Sequence, residues 1–286
     1  MFLHHRRAAW SAAVLAAIVA GSLRGPATAA EAAGVRGMVQ IPSGSFVPLY
    51  RVTSPDRSGS TSPRTRVPVS GFLMDVHPVT NGEYLEFVRT HPEWRRSRIA
   101  ALFGDAAYLR HWRGDLEPGD KAPASSPVVY VSWFAARAYL ASMGKRLPTQ
   151  NQWEYVAAAS ETSRDASGDK AFLTRVREWY GRPRRDPLPP VDQSFKNIYA
   201  VRGLHDLVQE WTEDFNAALV TGESRADGAR DRSLFCGSGA IGAADFEDYG
   251  AFMRYAFRGS LDARYSLASL GFRGVTESRI RPRTKR

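Results

Sequence analysis

Two four-residue segments fix where this chain can be regular. Thr80-Asn81-Gly82-Glu83 and Thr149-Gln150-Asn151-Gln152 both have the form Thr-x-x-Glu/Gln. In that form the threonine hydroxyl accepts from the amide three residues on, and the Glu or Gln side chain reaches back to the threonine amide. An apolar stripe at helical spacing follows each one: Tyr84, Phe87 and Val88 after the first, Trp153, Val156 and Ala157 after the second. The spacing predicts a helix from Thr80 to about Thr90 and another that begins at Thr149. A third helix is predicted over Ser132–Met143, where Trp133, Ala136, Tyr139 and Leu140 share a stripe and Gly144 supplies the stop.

Outside these helices the periodic signal is thin. Apolar residues alternate over Gly37–Phe46 and again over Val67–Val76, which predicts a short strand at each. Residues 54–66 are rich in Ser, Pro, Gly and Arg and read as a loop. Residues 160–190, polar with Arg and Pro clusters, read as an insertion or long surface connection. Beyond Gln209-Glu210-Trp211 no period is evident. Three short helices and scattered strands, with 43% hydrophobic residues to supply a core, imply one loop-rich α+β domain with little regular secondary structure.

The two ends read differently from the body. His4, His5, Arg6 and Arg7 precede an apolar run, Ala8 to Leu23, and Ala27-Thr28-Ala29 offers a small-x-small cleavage site. That order is a signal peptide over residues 1–30. The expectation is therefore an exported chain, periplasmic or secreted, with its mature start at Ala30 or Glu31 and no membrane span after cleavage. Residues 276–286 form a basic tail. Arg6, Arg7 and Arg24 at one end, and Arg279, Arg281, Arg283, Lys285 and Arg286 at the other, hold most of the excess that makes the formal charge +10. The body between them is close to neutral, so the charge gives no argument for nucleic acid. One cysteine, Cys236, excludes any internal disulfide.

The common catalytic signatures are missing: no glycine-rich phosphate loop, no Gly-x-Ser-x-Gly, no His-Glu-x-x-His. His77, His91, His111 and His205 share no metal-ligand spacing with one another or with the cysteine. Glu154 and Glu210 each stand beside a tryptophan in apolar surroundings. A carboxylate there needs bidentate partners, which Arg146, Arg258 or Arg273 could supply, so a structural role is expected for both. Gly271 is expected to permit a tight turn.

What the chain does contain is a series of segments in a definite order. They are Met38-Val39-x-Ile41-Pro42-x-Gly44-x-Phe46, Pro78-Val79-Thr80-Asn81-x-x-Tyr84-x-x-Phe87, Ser126-Pro127-Val128-x-x-Val131-Ser132-Trp133, Arg146-Leu147-Pro148-Thr149-x-x-x-Trp153-Glu154, Gly203-Leu204-x-Asp206, Glu210-Trp211 and Leu270-Gly271-Phe272-Arg273. In this order, over residues 37–275, the chain resembles the formylglycine-generating-enzyme (sulfatase-modifying-factor) family. The resemblance implies that family's fold, a loop-rich variant of the C-type-lectin-like topology.

The resemblance also implies a site, and the sequence departs from it. Family enzymes oxidise a substrate cysteine with dioxygen on copper(I) held by a Cys-x-x-x-x-Cys pair, beside a Ser and a Trp. Ser233-Leu234-Phe235-Cys236 matches the Ser-x-x-Cys part, and Trp211 matches the Trp. Ser233, Cys236 and Trp211 are therefore the candidate groove residues. The second Cys is absent: Ile241 stands five residues on, and an insertion over Gly237–Tyr249 moves the aligned position near Ala251. Copper is disfavoured with one thiol unless a group such as Met253 completes the site. The family's Gly-Asn-Val-Trp-Glu-Trp, which helps bind calcium, is replaced by Asp206-Leu207-Val208-Gln209-Glu210-Trp211. Glu210 is what remains as a calcium candidate. The cofactor is otherwise unassigned.

Three functions are compatible with these residues. One is a non-catalytic accessory or maturation factor with a protein partner, resembling exported relatives found with copper nitrite reductases. Another is an oxidase-type enzyme of altered chemistry, acting on a peptide or chromophore. The third is a carbohydrate-binding module, against which the lack of Glu-Pro-Asn and Gln-Pro-Asp counts.

Overall fold

Thr80 and Thr149 begin helices as their capping boxes require. The computed structural model describes residues 37–49, 66–216 and 248–277; residues 1–30, expected to be a signal peptide, the basic tail beyond Glu277 and the segment with Ser233 and Cys236 lie outside them. In helix α1 (Asn81–Thr90) and helix α3 (Gln150–Ala157) both halves of the capping box are formed. Helix α2 (Trp133–Ser142) is capped by Ser132, whose hydroxyl accepts from the Ala135 amide, and Gly144 leaves it at φ +66°.

The strands are shorter than the alternation suggested. Residues 67–76 form two strands rather than one: β3 (Val67–Val69) and β4 (Phe72–Asp75), broken at Ser70-Gly71. β3 pairs with β2 (Gly44–Phe46), whereas β4 joins the antiparallel sheet β1-β4-β7, with β1 at Met38–Ile41 and β7 at Val275–Glu277. A turn at this point lets one segment serve two sheets. Phe72 and Met74 alternate inward on β4 and are fully buried.

Two helices were not expected. Residues 160–190 contain α4 (Lys170–Gly181), capped by Asp169, with Phe172 and Val176 buried. After Trp211 comes α5 (Tyr249–Gly259), capped by Asp248. α5 packs on α4. Its buried face is Gly250, Ala251, Arg254, Tyr255 and Arg258. Two of those core positions are arginine, so the apolar template fails on a helix whose spacing is regular.

Two core clusters meet at the centre. One gathers Tyr84, Trp112, Leu140, Trp211 and Phe272 under α1 and α2. The other gathers Ile41, Phe72, Trp153, Val156 and Val201 between the sheet and α3. Between them runs a two-residue parallel pair, β5 (Gln209–Glu210) with β6 (Leu270–Gly271). Gly271 makes no turn. A Cβ there would lie 2.9 Å from the Val128 carbonyl oxygen, so the glycine serves close approach of backbones.

Candidate functional site

The β5–β6 pair delivers Glu210, Trp211 and Arg273 into one buried region, and α3 and α5 bring Trp153, Glu154, Arg254 and Arg258 to it. Glu210 is fully buried. Its Oε1 accepts from Arg273 Nη2 at 2.7 Å, and its Oε2 accepts from Arg273 Nε at 2.8 Å and Trp153 Nε1 at 2.7 Å. Glu154 accepts from Arg254 Nη2 at 2.6 Å, Arg254 Nε at 3.0 Å and Arg258 Nη1 at 2.7 Å. The Arg258 and Arg254 guanidiniums stand 4.4 and 5.4 Å from the centre of the Trp153 ring. Arg258 Nε reaches the Glu210 carbonyl at 3.4 Å, which links the two ion pairs.

Burial alone would raise the Glu154 carboxyl, but Arg254 and Arg258 outweigh it and hold the group below its usual range. A carboxylate kept ionised by two guanidiniums is a poor proton acceptor. The arrangement suits a structural lock, as the tryptophan neighbours suggested. The choice of arginines was right for Arg258 and Arg273. It was wrong for Arg146, which turns instead to Gln152 Oε1 at 2.8 Å and Glu277 at 2.8 Å. Arg254 was not among the residues the sequence singled out, and His205, which the sequence showed only to lack a metal-ligand spacing, belongs to this core. His205 Nε2 bonds the Ala157 carbonyl at 2.9 Å, and its ring stacks 6.1 Å from Trp179. Burial, with Arg254 nearby, pushes it down to about 3.

Calcium does not fit Glu210. Both oxygens are committed to Arg273 and Trp153, and a cation at either would face a guanidinium at the same atom. No group of three or more His, Cys, Asp or Glu able to hold a metal occurs among the described residues. Copper(I) between two thiolates does not fit either, because the chain has one cysteine. Met253, on α5, is 39% exposed.

Trp211 is fully buried, and its Nε1 donates to the Val131 carbonyl at 2.8 Å. Its ring meets Phe215 edge-on at 5.0 Å, and Phe215 in turn meets Trp133 at 6.0 Å. Arg137 lies over Trp133 at 4.5 Å and pairs with Glu213 at 3.3 Å. Of the three groove candidates, Trp211 is thus a core residue beneath this aromatic group. Ser233 and Cys236 lie outside the described residues, between Asn216 and Asp248.

Comparison with known proteins gives the same picture as the ordered segments. Over 214 residues the chain is 31% identical to the protein named "Inactive C-alpha-formylglycine-generating enzyme 2" of Bos taurus, which covers 61% of this chain and 69% of that one. Over 227 residues it is 30% identical to the formylglycine-generating enzyme of Mycobacterium tuberculosis, covering 61% and 73%. Among solved structures, PvdO from Pseudomonas aeruginosa aligns over 84% of this chain and 94% of that chain, at 19% identity and a TM-score of 0.43. The model of the sulfatase-modifying factor enzyme 1-like domain matches residues 25–278, and the chain belongs to that family.

Proposed function

We propose that this chain is an exported accessory factor that assists the maturation of another protein, an exported metalloenzyme, and that it does not generate formylglycine. The observation that carries this reading is the thiol count. Cys236 is the only cysteine, so the chain cannot supply the two thiolates that give copper(I) its preferred soft, linear coordination. Similarity does not decide the matter, since the chain is similar both to a protein named as inactive and to one named as the enzyme. The locked state of Glu154 and Glu210 adds support: neither carboxylate is free to act as a base.

In this reading Cys236 is a contact or a single soft ligand toward the partner. Gly237, Ser238 and Gly239, which follow it, carry little or no side chain. A copper enzyme is the favoured partner, by likeness to the accessory relatives of nitrite reductases. The test has two parts. Native-state alkylation should modify Cys236. In a host lacking the chain, exported copper-enzyme activity should fall, and wild-type chain but not Cys236→Ser should restore it. A thiol that reacts only after unfolding, together with full rescue by Cys236→Ser, overturns the reading.

The retained Ser233-x-x-Cys236 and Glu210-Trp211 favour a second reading, an oxidase-type enzyme of altered chemistry that uses one thiol. Oxygen uptake on a peptide or chromophore substrate, abolished in Cys236→Ser, would select it.

A further inference from the structure

Away from the ion-pair core, two residues hold backbone conformations that non-glycine residues avoid, and they hold them against each other. Leu109 has φ +46° and Tyr130 φ +57°, and the Leu109 amide donates to the Tyr130 carbonyl at 2.9 Å. Left-handed backbone in bulky residues is a strain that persists where the surroundings over-determine it, and it concentrates at binding sites. Tyr130 lines a cavity of about 410 Å³, with Leu109 buried behind its wall. Arg110 and His111 follow Leu109 into that wall, Tyr130 faces them, and Lys121, Arg184 and Asp186 complete the rim.

The charge and the hydrogen bonds of this cavity are unbalanced in one direction. Three cations, Arg110, Lys121 and Arg184, face one carboxylate. Asp186 lies 3.9 Å from both Lys121 Nζ and Arg184 Nη2, too far for a hydrogen bond to either. Arg110 Nη2 donates to the Tyr130 hydroxyl at 3.1 Å and its guanidinium lies 4.8 Å from the ring centre, so the phenol keeps its own proton for a further acceptor. His111 is packed 5.1 Å from Tyr130, and neither of its buried ring nitrogens has a protein partner. Burial first, and then Arg184, push His111 down to about 4. At neutral pH it therefore offers one N–H with no acceptor. In the floor, Asn81 and Ser126 are satisfied by Trp112 and by the Leu188 carbonyl.

We propose that this cavity is a binding site for a small oxyanion, a carboxylate or a phosphate group, held by Arg110, Lys121 and Arg184 with Tyr130 donating, and with His111 packed in its wall. Planar and tetrahedral oxyanions both present the acceptors that such converging donors lack. The site is independent of Cys236 and of the proposed partner.

Histidine-labelled protein reports on the cavity directly, because a negative charge beside His111 raises its pKa. Inorganic phosphate and malonate are titrated separately at constant 0.15 M sodium chloride, and the His111 ring signals are followed. At least one anion should shift them saturably and move the His111 titration upward; the tighter of the two identifies the group. Arg184→Gln and Lys121→Gln, both at solvent-facing positions, should each weaken that binding about tenfold or more, the scale of one charge-assisted contact. Arg175→Gln, on a different face, should leave it unchanged. The proposal is overturned by no saturable shift with either anion, by unchanged affinity in Arg184→Gln and Lys121→Gln, or by equal loss in Arg175→Gln.

Discussion

Replacing Glu154 by glutamine removes one charge and almost no volume, yet it should be among the most damaging single changes in the molecule. Glu154 and its partners Arg254 and Arg258 have side chains 0–5% exposed. The carboxylate accepts from both guanidiniums, and Gln can accept at only one oxygen while presenting an N–H to the other cation. Two buried positive charges then face each other across a neutral amide. Removing one partner of a buried ion pair costs about 3–5 kcal/mol, chiefly through the charge left unpaired. For a domain of this size that corresponds to a fall in Tm on the order of 10–15 °C. The depressed carboxyl adds a pH signature. Its folded pKa lies below its unfolded one, so its contribution is present above the unfolded value and is lost as pH falls through the folded value. Urea unfolding at pH 7 and at pH 4 measures both effects. The wild type should lose stability between the two, and Glu154→Gln should lose less. A wild-type-to-variant difference under about 1 kcal/mol at pH 7 would refute the reading of Glu154 as the clasp between α3 and α5.

Three other outcomes follow from the same core. Trp153→Ala removes a fully buried ring that also donates to Glu210 and should cost about 3–5 kcal/mol in urea unfolding; normal stability would mean the indole is not packed as described. His205 is depressed to about 3, so the folded state favours the neutral ring: its contribution is present above about 6.5 and is lost as pH falls toward 3. Between neutral pH and pH 5 it should account for about 2 kcal/mol of lost stability, and His205→Gln should flatten that part of the stability–pH curve. Gly271→Ala places a methyl 2.9 Å from the Val128 oxygen and 3.1 Å from Val208; a thermal melt should show roughly 1–3 kcal/mol of destabilisation, and an unchanged melt would mean the β5–β6 pair separates at no cost.

What could be read in the sequence follows from how far each signal is local. The helices α1, α2 and α3 were legible because a cap residue and an apolar stripe sit within a few positions of each other. α5 was not, because Arg254 and Arg258 take core positions and only the distant Glu154 makes that tolerable. α4 was hidden among Arg and Pro clusters, with only Phe172 and Val176 buried on it. The break between β3 and β4 depends on which sheet each strand joins, a choice made by partners far along the chain. β5 and β6 are two residues each, too short for any period. The ion pairs were legible as a need and partly as an answer: two carboxylates beside tryptophans demanded arginines, and Arg258 and Arg273 were among those named. The strained wall at Leu109 and Tyr130 left no trace, since neither residue type signals positive φ.

The most direct test of the proposed function is the reaction that the family's enzymes perform. Purified protein, supplied with copper(I), dioxygen and a Cys-x-Pro-x-Arg peptide, is followed by mass spectrometry for conversion of the peptide cysteine to the aldehyde. With Cys236 as the only thiol, the expected result is no aldehyde above the protein-free control. Aldehyde that forms with the wild type and vanishes in Cys236→Ala would contradict it and make this chain a single-thiol formylglycine-generating enzyme.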